Sequence, residues 1–229
     1  MPHTPRSVVM VGATGAVGGH AARTLVLMPD VEAMTLLGRR PVEELDAAKV
    51  TQATVDVLDP ASWGGAVDGH DAAICTLGVG EPSKMGREDF VRIDKDAVLA
   101  FAEACRGAGV RHFQLLGSVG ADPGSRSFYL RTKGELERGL IELGFDRLSL
   151  FRPSMILTPT NRYGFTQALA LAAWPLLQPL LVGGMRKFRG IPVERLGRAI
   201  ALNLRGQGPK VEVLHWEEID ALGRGRVAD

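Results

Sequence analysis

Residues 8–25 read VVMVGATGAVGGHAARTL, an apolar run rich in valine that breaks into a glycine-rich turn and goes on with helical spacing. Strand, turn and helix in that order is the context in which a glycine motif acquires meaning. Gly12 lets the chain turn tightly, Gly15 lets backbone approach a pyrophosphate with no Cβ between them, and Gly18 allows close helix–strand packing. Free N–H groups and the helix dipole then favour phosphate charge. The spacing GxxGxxG differs from the G-x-G-x-x-G dinucleotide fingerprint, and a tight strand-to-helix connection without a ligand is the plainer reading of the turn alone.

The chain around it strengthens the dinucleotide reading. Short apolar runs predict strands at 7–12, 33–38, 50–57, 72–78, 112–118 and 148–153, and helical spacing falls between them near 16–28, 60–67, 87–107 and 127–143. Alternation of this kind builds a parallel sheet from βαβ units, and VVMV, ICTL and FQLL have the nearly unbroken apolar character of strands covered on both faces. The expected fold is a doubly wound, mostly parallel Rossmann-type α/β sheet. After Pro153 the sequence becomes punctuated by proline and glycine, with helical stretches at 163–181 and 193–204 and a weak one at 216–222. We expect one domain, 1–229, in which about 154–229 form a small C-terminal helical lobe packed on the ends of the sheet and facing the substrate.

Composition bounds the function. A chain of 229 residues can form one sizeable core, and 27 basic against 26 acidic groups give no electrostatic reason to expect nucleic acid. Cys75 and Cys105 lie in apolar stretches with no metal or disulfide spacing, and the five histidines show no pairing pattern, so no metal is expected. The apolar stretch at the N-terminus is too short for a secretory signal, which predicts a cytoplasmic protein. The stretch from Ala168 to Val182 contains Gln178, Pro175 and Pro179 and falls short of a transmembrane helix. Residues 165–181 have three readings: a lid over the substrate, a subunit interface, or a membrane-surface helix beside Arg186, Lys187 and Arg189. The chain is expected to be a monomer or homodimer.

The end of the second strand separates the two nicotinamide dinucleotides, because an acid there accepts a hydrogen bond from the ribose 2′-hydroxyl whereas arginine holds a 2′-phosphate. TLLGRRP places Arg39 and Arg40 at that point, which predicts NADP(H); a solvated basic pair is the alternative. Asp56, in VDVLD, is placed either to meet the adenine amino group or to serve a surface turn. The expected cofactor contacts are Gly12, Thr14, Gly15, Ala16, Val17, Gly18, Arg39, Arg40, Asp56, Val57, Leu77, Gly78, Tyr129, Lys133, Pro153 and Ile156.

Tyr129 and Lys133, four apart in FYLRTKGE, share a face of the predicted helix. A nearby ammonium favours the ionised form of a phenol and brings it toward the range of acid–base work. Ser118, ending the fifth strand, lies at the carboxyl edge of the sheet, where α/β folds bind ligands. Its hydroxyl can hold a carbonyl oxygen while the tyrosine supplies a proton, so Ser118, Tyr129 and Lys133 are the candidate catalytic residues. A helical tyrosine in packing and a solvated lysine are the plain alternative. The loop Gly80 to Arg87, with Ser83 and Lys84, is either ligand-facing or a solvated connection.

Taken together these residues resemble the short-chain dehydrogenase/reductase superfamily in its atypical branch. LLGRRP, GHDAAICTLGVG, FVRIDKDAVLAFAEACRGAGVRHFQLLGSVGAD, SFYLRTKGELE and GFDRLSLFRPSMIL are similar, in order and spacing, to the Tat-interacting oxidoreductase-like proteins of the CC3 type, over about residues 7–157. The resemblance implies NADPH in a Rossmann fold and Ser118, Tyr129 and Lys133 on the triad positions; the chemistry of those three side chains makes a small carbonyl compound the expected substrate. Many members of the superfamily carry asparagine where this chain has Asp94, and the CC3 type resembles this chain there. Family members are also described as regulators that bind nuclear-transport proteins, so the resemblance implies a possible protein partner too. The C-terminal part matches loosely and implies no substrate identity.

Overall fold

The computed structural model describes residues 6–43, 45, 47–79, 85–158 and 181–227. Its centre is a seven-stranded sheet in the order β3-β2-β1-β4-β5-β6-β9, with every pairing parallel. The strands are β1 (Ser7–Val11), β2 (Ala33–Gly38), β3 (Val50–Thr54), β4 (Ala72–Cys75), β5 (His112–Leu116), β6 (Arg147–Phe151) and β9 (Val211–Leu214). A small parallel pair, β7 (Ile156–Leu157) with β8 (Ile191–Pro192), ties the segment after β6 to the one before the C-terminal helices.

Alternate residues of each central strand enter opposite cores. Val8 and Met10 join Leu36, Ile74 and Phe151 on one face, under α1 (Ala16–Leu27), α5 (Val193–Leu202) and α6 (Trp216–Gly223). Val9 and Val11 join Leu37, Cys75, Phe113 and Leu150 on the other, under α3 (Ala97–Gly107) and α4 (Phe128–Glu142). Both faces are covered, so apolar side chains are needed at consecutive positions, and this is why VVMV and AAIC form strands without polar alternation. The fold class expected from the sequence is the one observed.

Several boundaries differ: the strands expected at 112–118 and 148–153 end at Leu116 and Phe151, and the helix expected at 60–67 is a 3₁₀ turn over Pro60–Trp63. The strands expected at 50–57 and 72–78 end at Thr54 and Cys75, and the residues beyond leave the ladder to form loops at the carboxyl edge. The single helix expected at 87–107 comprises α2 (Arg87–Val91), a π-helical turn (Arg92–Asp96) and α3.

The C-terminal part does more than cap the sheet. Val211–Leu214 pairs with β6 as an edge strand, and α5 and α6 lie on a face of the sheet. VEVL is only four residues long, alternates with Glu212 and follows Gly208-Pro209, which hides it among turn signals. The expected helix at 163–181 and the apolar stretch 165–181 lie outside the described residues except for Leu181, as do residues 80–84 of the loop after β4. Among the described residues no helix is long and apolar enough to cross a membrane.

Candidate cofactor and active site

Strand order reverses between β1 and β4, and the crevice outside their carboxyl ends is where an open parallel sheet receives a ligand. Val11 pairs with Cys75, which sets Gly12 against Thr76. Gly12 has φ +91°, and a Cβ there would lie 2.6 Å from Thr76 Oγ1 and 2.7 Å from Leu77 N. A Cβ on Gly18 would collide with the Gly12 carbonyl oxygen and with Thr76 Oγ1 at 2.5 Å. Neither position has room for a side chain. The turn closes with Gly15 N–H donating to Gly12 O at 2.9 Å.

Gly15 then caps α1 with extended backbone. No side chain caps this helix, and its first turn contains no acid. Its leading N–H groups thus lack the side-chain acceptors that usually satisfy a helix start, and the dipole there favours an anion. The carboxyl edge opens into two clefts that share Gly15, Ala16 and Thr158. The outer one, of 430 Å³, runs between α1 and the loop after β2, with Thr14, Arg23, Arg40 and Glu43 among its walls. The inner one, of 340 Å³, runs from Val17 and Gly18 past Leu77 and Gly78 to Tyr129, Lys133 and Ile156.

The expected residues divide accordingly. Thr14, Gly15, Ala16 and Arg40 line the outer cleft, and Val17, Gly18, Leu77, Gly78, Tyr129, Lys133 and Ile156 the inner one. Gly12 lies beneath the turn. Arg39 is exposed and is not a wall of either cleft. The Asp56 carboxylate accepts from Leu58 N–H at 2.9 Å in a local turn, and Val57 is buried in the core on the α3 side. Pro153 accepts from Val119 N–H at 2.9 Å, bracing the chain next to Ser118. Ser118 is half-buried, and its Oγ donates to Val119 O at a long 3.4 Å.

The inner end of the site is organised by α4. Ser127 caps it, accepting from Leu130 N–H at 3.4 Å, and the helix starts at the carboxyl edge with Tyr129 and Lys133 one turn apart. The Tyr129 ring lies 5.7 Å from that of buried Phe90, and Lys133 Nζ stands 6.0 Å from the Tyr129 ring centre. Lys133 is buried and forms an ion pair with Asp94 Oδ1, while Asp94 Oδ2 accepts from Val79 N–H at 2.7 Å. Asp94 reaches that position from the π-helical turn, where one added residue per turn re-aims a side chain.

Behind them, Glu137 on α4 accepts from Arg152 Nε at 3.1 Å. Burial raises the Glu137 pKa while Arg152 opposes that shift. Cys75, under the floor of the site, has its thiol pushed up to about 12, mainly by burial, which removes it as a nucleophile. Among the described residues no three His, Cys, Asp or Glu side chains gather as a metal site.

Two features escaped the sequence reading. Asp94 was singled out only as a departure from the superfamily, because nothing in the sequence pairs it with a lysine 39 positions away. Arg23 is the second. It stands eight residues after Gly15 and four after Gly19, on one face of α1, and that spacing is the signal that would have found it.

Residues 12–150 match the model of the NAD(P)H-binding family. The chain is 35% identical over 222 residues to Protein HTATIP2 of Rattus norvegicus, covering 96% of this chain and 90% of that protein. It is 32% identical over 155 residues to Protein fmp52, mitochondrial, of Emericella nidulans, covering 66% of each. With the Debaryomyces hansenii protein of the same name it shares 28% over 228 residues, 94% of this chain and 97% of that one. In fold it is similar to MoeE5 in complex with UDP-glucose and NAD, with TM-score 0.67 at 18% identity over 91% of this chain and 76% of that one. The ADP-L-glycero-D-manno-heptose-6-epimerase of Helicobacter pylori gives TM-score 0.67 at 13% identity over 99% and 84%. The mitochondrial names of the fungal relatives correct the cytoplasmic expectation. A short apolar N-terminal stretch argues only against a secretory signal, since mitochondrial transit peptides are amphipathic and arginine-rich and have no apolar core.

Proposed function

We propose that this chain, which belongs to the NAD(P)H-binding family, is an NADPH-dependent reductase of a small carbonyl compound. The observation that carries the reading is a pair of adjoining clefts that meet at Gly15, Ala16 and Thr158, one with an arginine among its walls and the other with a tyrosine–lysine pair, on either side of a side-chain-free helix start. The cradle that a Cβ at Gly12 or Gly18 would fill, together with the acid-free start of α1, fits a dinucleotide pyrophosphate. Thr14 to Gly18 would hold it, Arg40 would meet the 2′-phosphate, and Leu77, Gly78, Lys133 and Ile156 would flank the nicotinamide half. When bound, the reduced nicotinamide supplies a hydride to the carbonyl carbon.

The chain's own side chains do the rest. Tyr129 Oη donates a proton to the oxygen as negative charge develops there and recovers it from solvent. Lys133 positions a ribose hydroxyl and places positive charge near the phenol. Ser118 is not a wall of either cleft, and its Oγ, which among the described residues donates to Val119 O, would have to turn toward the inner cleft to donate to the substrate oxygen. Within the single domain, residues from 154 onward form the substrate side of the site, through Ser154, Met155 and Ile156 of the inner cleft.

A second reading is an NADPH-binding regulator that acts through a protein partner with little turnover. The Asp94–Lys133 pair favours it, because the carboxylate offsets the charge that would otherwise act on Tyr129. One variant separates the two readings. For a reductase, Tyr129→Phe lowers turnover on a carbonyl panel about a hundred- to ten-thousandfold while NADPH affinity is kept. Tight NADPH binding with no consumption on any substrate, and a Tyr129→Phe protein indistinguishable from the parent, would remove the reductase reading.

A further inference from the structure

We infer that Arg23 is a second guanidinium for the cofactor's 2′-phosphate, so that preference for NADPH is set jointly by α1 and the loop after β2. The inference rests on the NADPH reading above and adds to it a residue from a different element.

Gly15, Gly19 and Arg23 succeed one another every four residues on one face of α1. Side chains on a helix lean toward its N-terminus, and Arg23 does so: its Nη1 lies 3.2 Å from where a Cβ on Gly19 would be. The absence of a side chain at Gly19 leaves a lane along which the guanidinium reaches back toward the phosphate turn. Reaching back to the level of Gly19, the guanidinium stands about 6 Å up the helix from Gly15 at 1.5 Å per residue, one turn beyond the leading N–H groups. There it lines the outer cleft together with Arg40 and Pro41 of the loop after β2, on the side where an adenosine ribose meets the end of the second strand.

Charge supports the same assignment. Arg23 and Arg40 are both exposed, and neither has an ion-pair or hydrogen-bond partner among the described residues. Several other arginines are committed, Arg147 to Glu212, Arg152 to Glu137, Arg195 to Asp220 and Arg205 to Asp30; Arg39, Arg126 and Arg138 are also exposed with no partner among the described residues, but they line neither cleft. Glu43 is the acidic side chain among the walls of the outer cleft. Two guanidiniums from different elements lining one cleft suit a phosphate dianion, which has oxygens enough to accept from both. A 2′-hydroxyl carries no such charge. Arg23 therefore contributes to NADPH and little to NADH.

The test is a direct binding titration of NADPH, NADH and adenosine 2′,5′-bisphosphate with the parent, Arg23→Gln and Arg40→Gln proteins. The bisphosphate carries the 2′-phosphate without the nicotinamide, so the readout is independent of turnover. Loss of one charge-assisted contact predicts that Arg23→Gln weakens NADPH and the bisphosphate about tenfold and leaves NADH within about twofold. Because Arg23 is exposed and has no partner among the described residues, the variant should melt with the parent. If Arg40→Gln weakens NADPH while Arg23→Gln changes nothing, the role of Arg23 is overturned and the cofactor reading survives. If the parent binds NADPH and NADH equally, both fall together.

Discussion

The molecule gathers polar side chains in two places on its sheet, and the two are built on opposite principles. Along β5, β6 and β9, Arg147 directs Nε to Glu212, Nη1 to the Asn203 and Gly206 carbonyls and Nη2 to Asn203 Oδ1 and Glu212. Asn203 Nδ2 donates to Gln114 and Ser149, and His112 Nε2 meets Ser149 Oγ at 2.8 Å. At the carboxyl edge of β1 and β4, by contrast, a helix start has no side-chain cap and, among the described residues, Arg23 and Arg40 have no ion-pair or hydrogen-bond partner. Polar groups that satisfy one another hold a fold together. Polar groups that converge on a cleft without partners are set for something that arrives later.

This contrast predicts opposite responses to mutation, and the largest is on the closed network. Arg147→Met strands the largely buried Glu212 carboxylate and should cost about 3 kcal/mol or more of unfolding free energy, measured by urea titration, with NADPH affinity unchanged in the folded protein. Loss of cofactor affinity without loss of stability would break the distinction between the two clusters.

A smaller effect sharpens it through pH. Burial, with Arg147 adding to it, pushes His112 down to about 3, whereas the unfolded chain holds a free imidazole. As pH falls below about 6.5 the unfolded state takes up a proton that the folded state refuses, so this group's contribution to stability is lost at up to about 1.4 kcal/mol per pH unit. Glu137, whose carboxyl is raised by burial, gives a slope of opposite sign above its unfolded value. Urea unfolding at pH 7 and pH 5 should show the loss, and His112→Gln should flatten it. An unchanged slope in that variant would show that the histidine is not held neutral by its burial beside Arg147.

The same contrast explains what was legible in the sequence. Strands β1, β2, β4, β5 and β6 were legible because burial on both faces demands unbroken apolar runs, which few other structures do. Strand β9 was not, because Glu212 spends its carboxylate sideways on Arg147 and Ser149, a use that leaves no local pattern. At the site, the glycine turn and the Tyr129–Lys133 spacing could be read because each is a local geometric requirement along one element. The Asp94–Lys133 pair could not, since it depends on a π-helical turn with no distinct side-chain period. The readings of Arg39 and Arg40 came from their place after β2, yet only Arg40 lines the cleft. Which of two adjacent side chains turns inward is settled by the loop's path and not by residue type.

The central claim is that the open edge of the sheet holds NADPH with its reactive end at Tyr129. A crystal of the protein soaked with NADPH tests it most directly. The account predicts the pyrophosphate on the N–H groups following Gly15, the 2′-phosphate against Arg40, and the nicotinamide beside Tyr129 and Gly78. A cofactor seated elsewhere, or one whose nicotinamide points away from Tyr129, would contradict it.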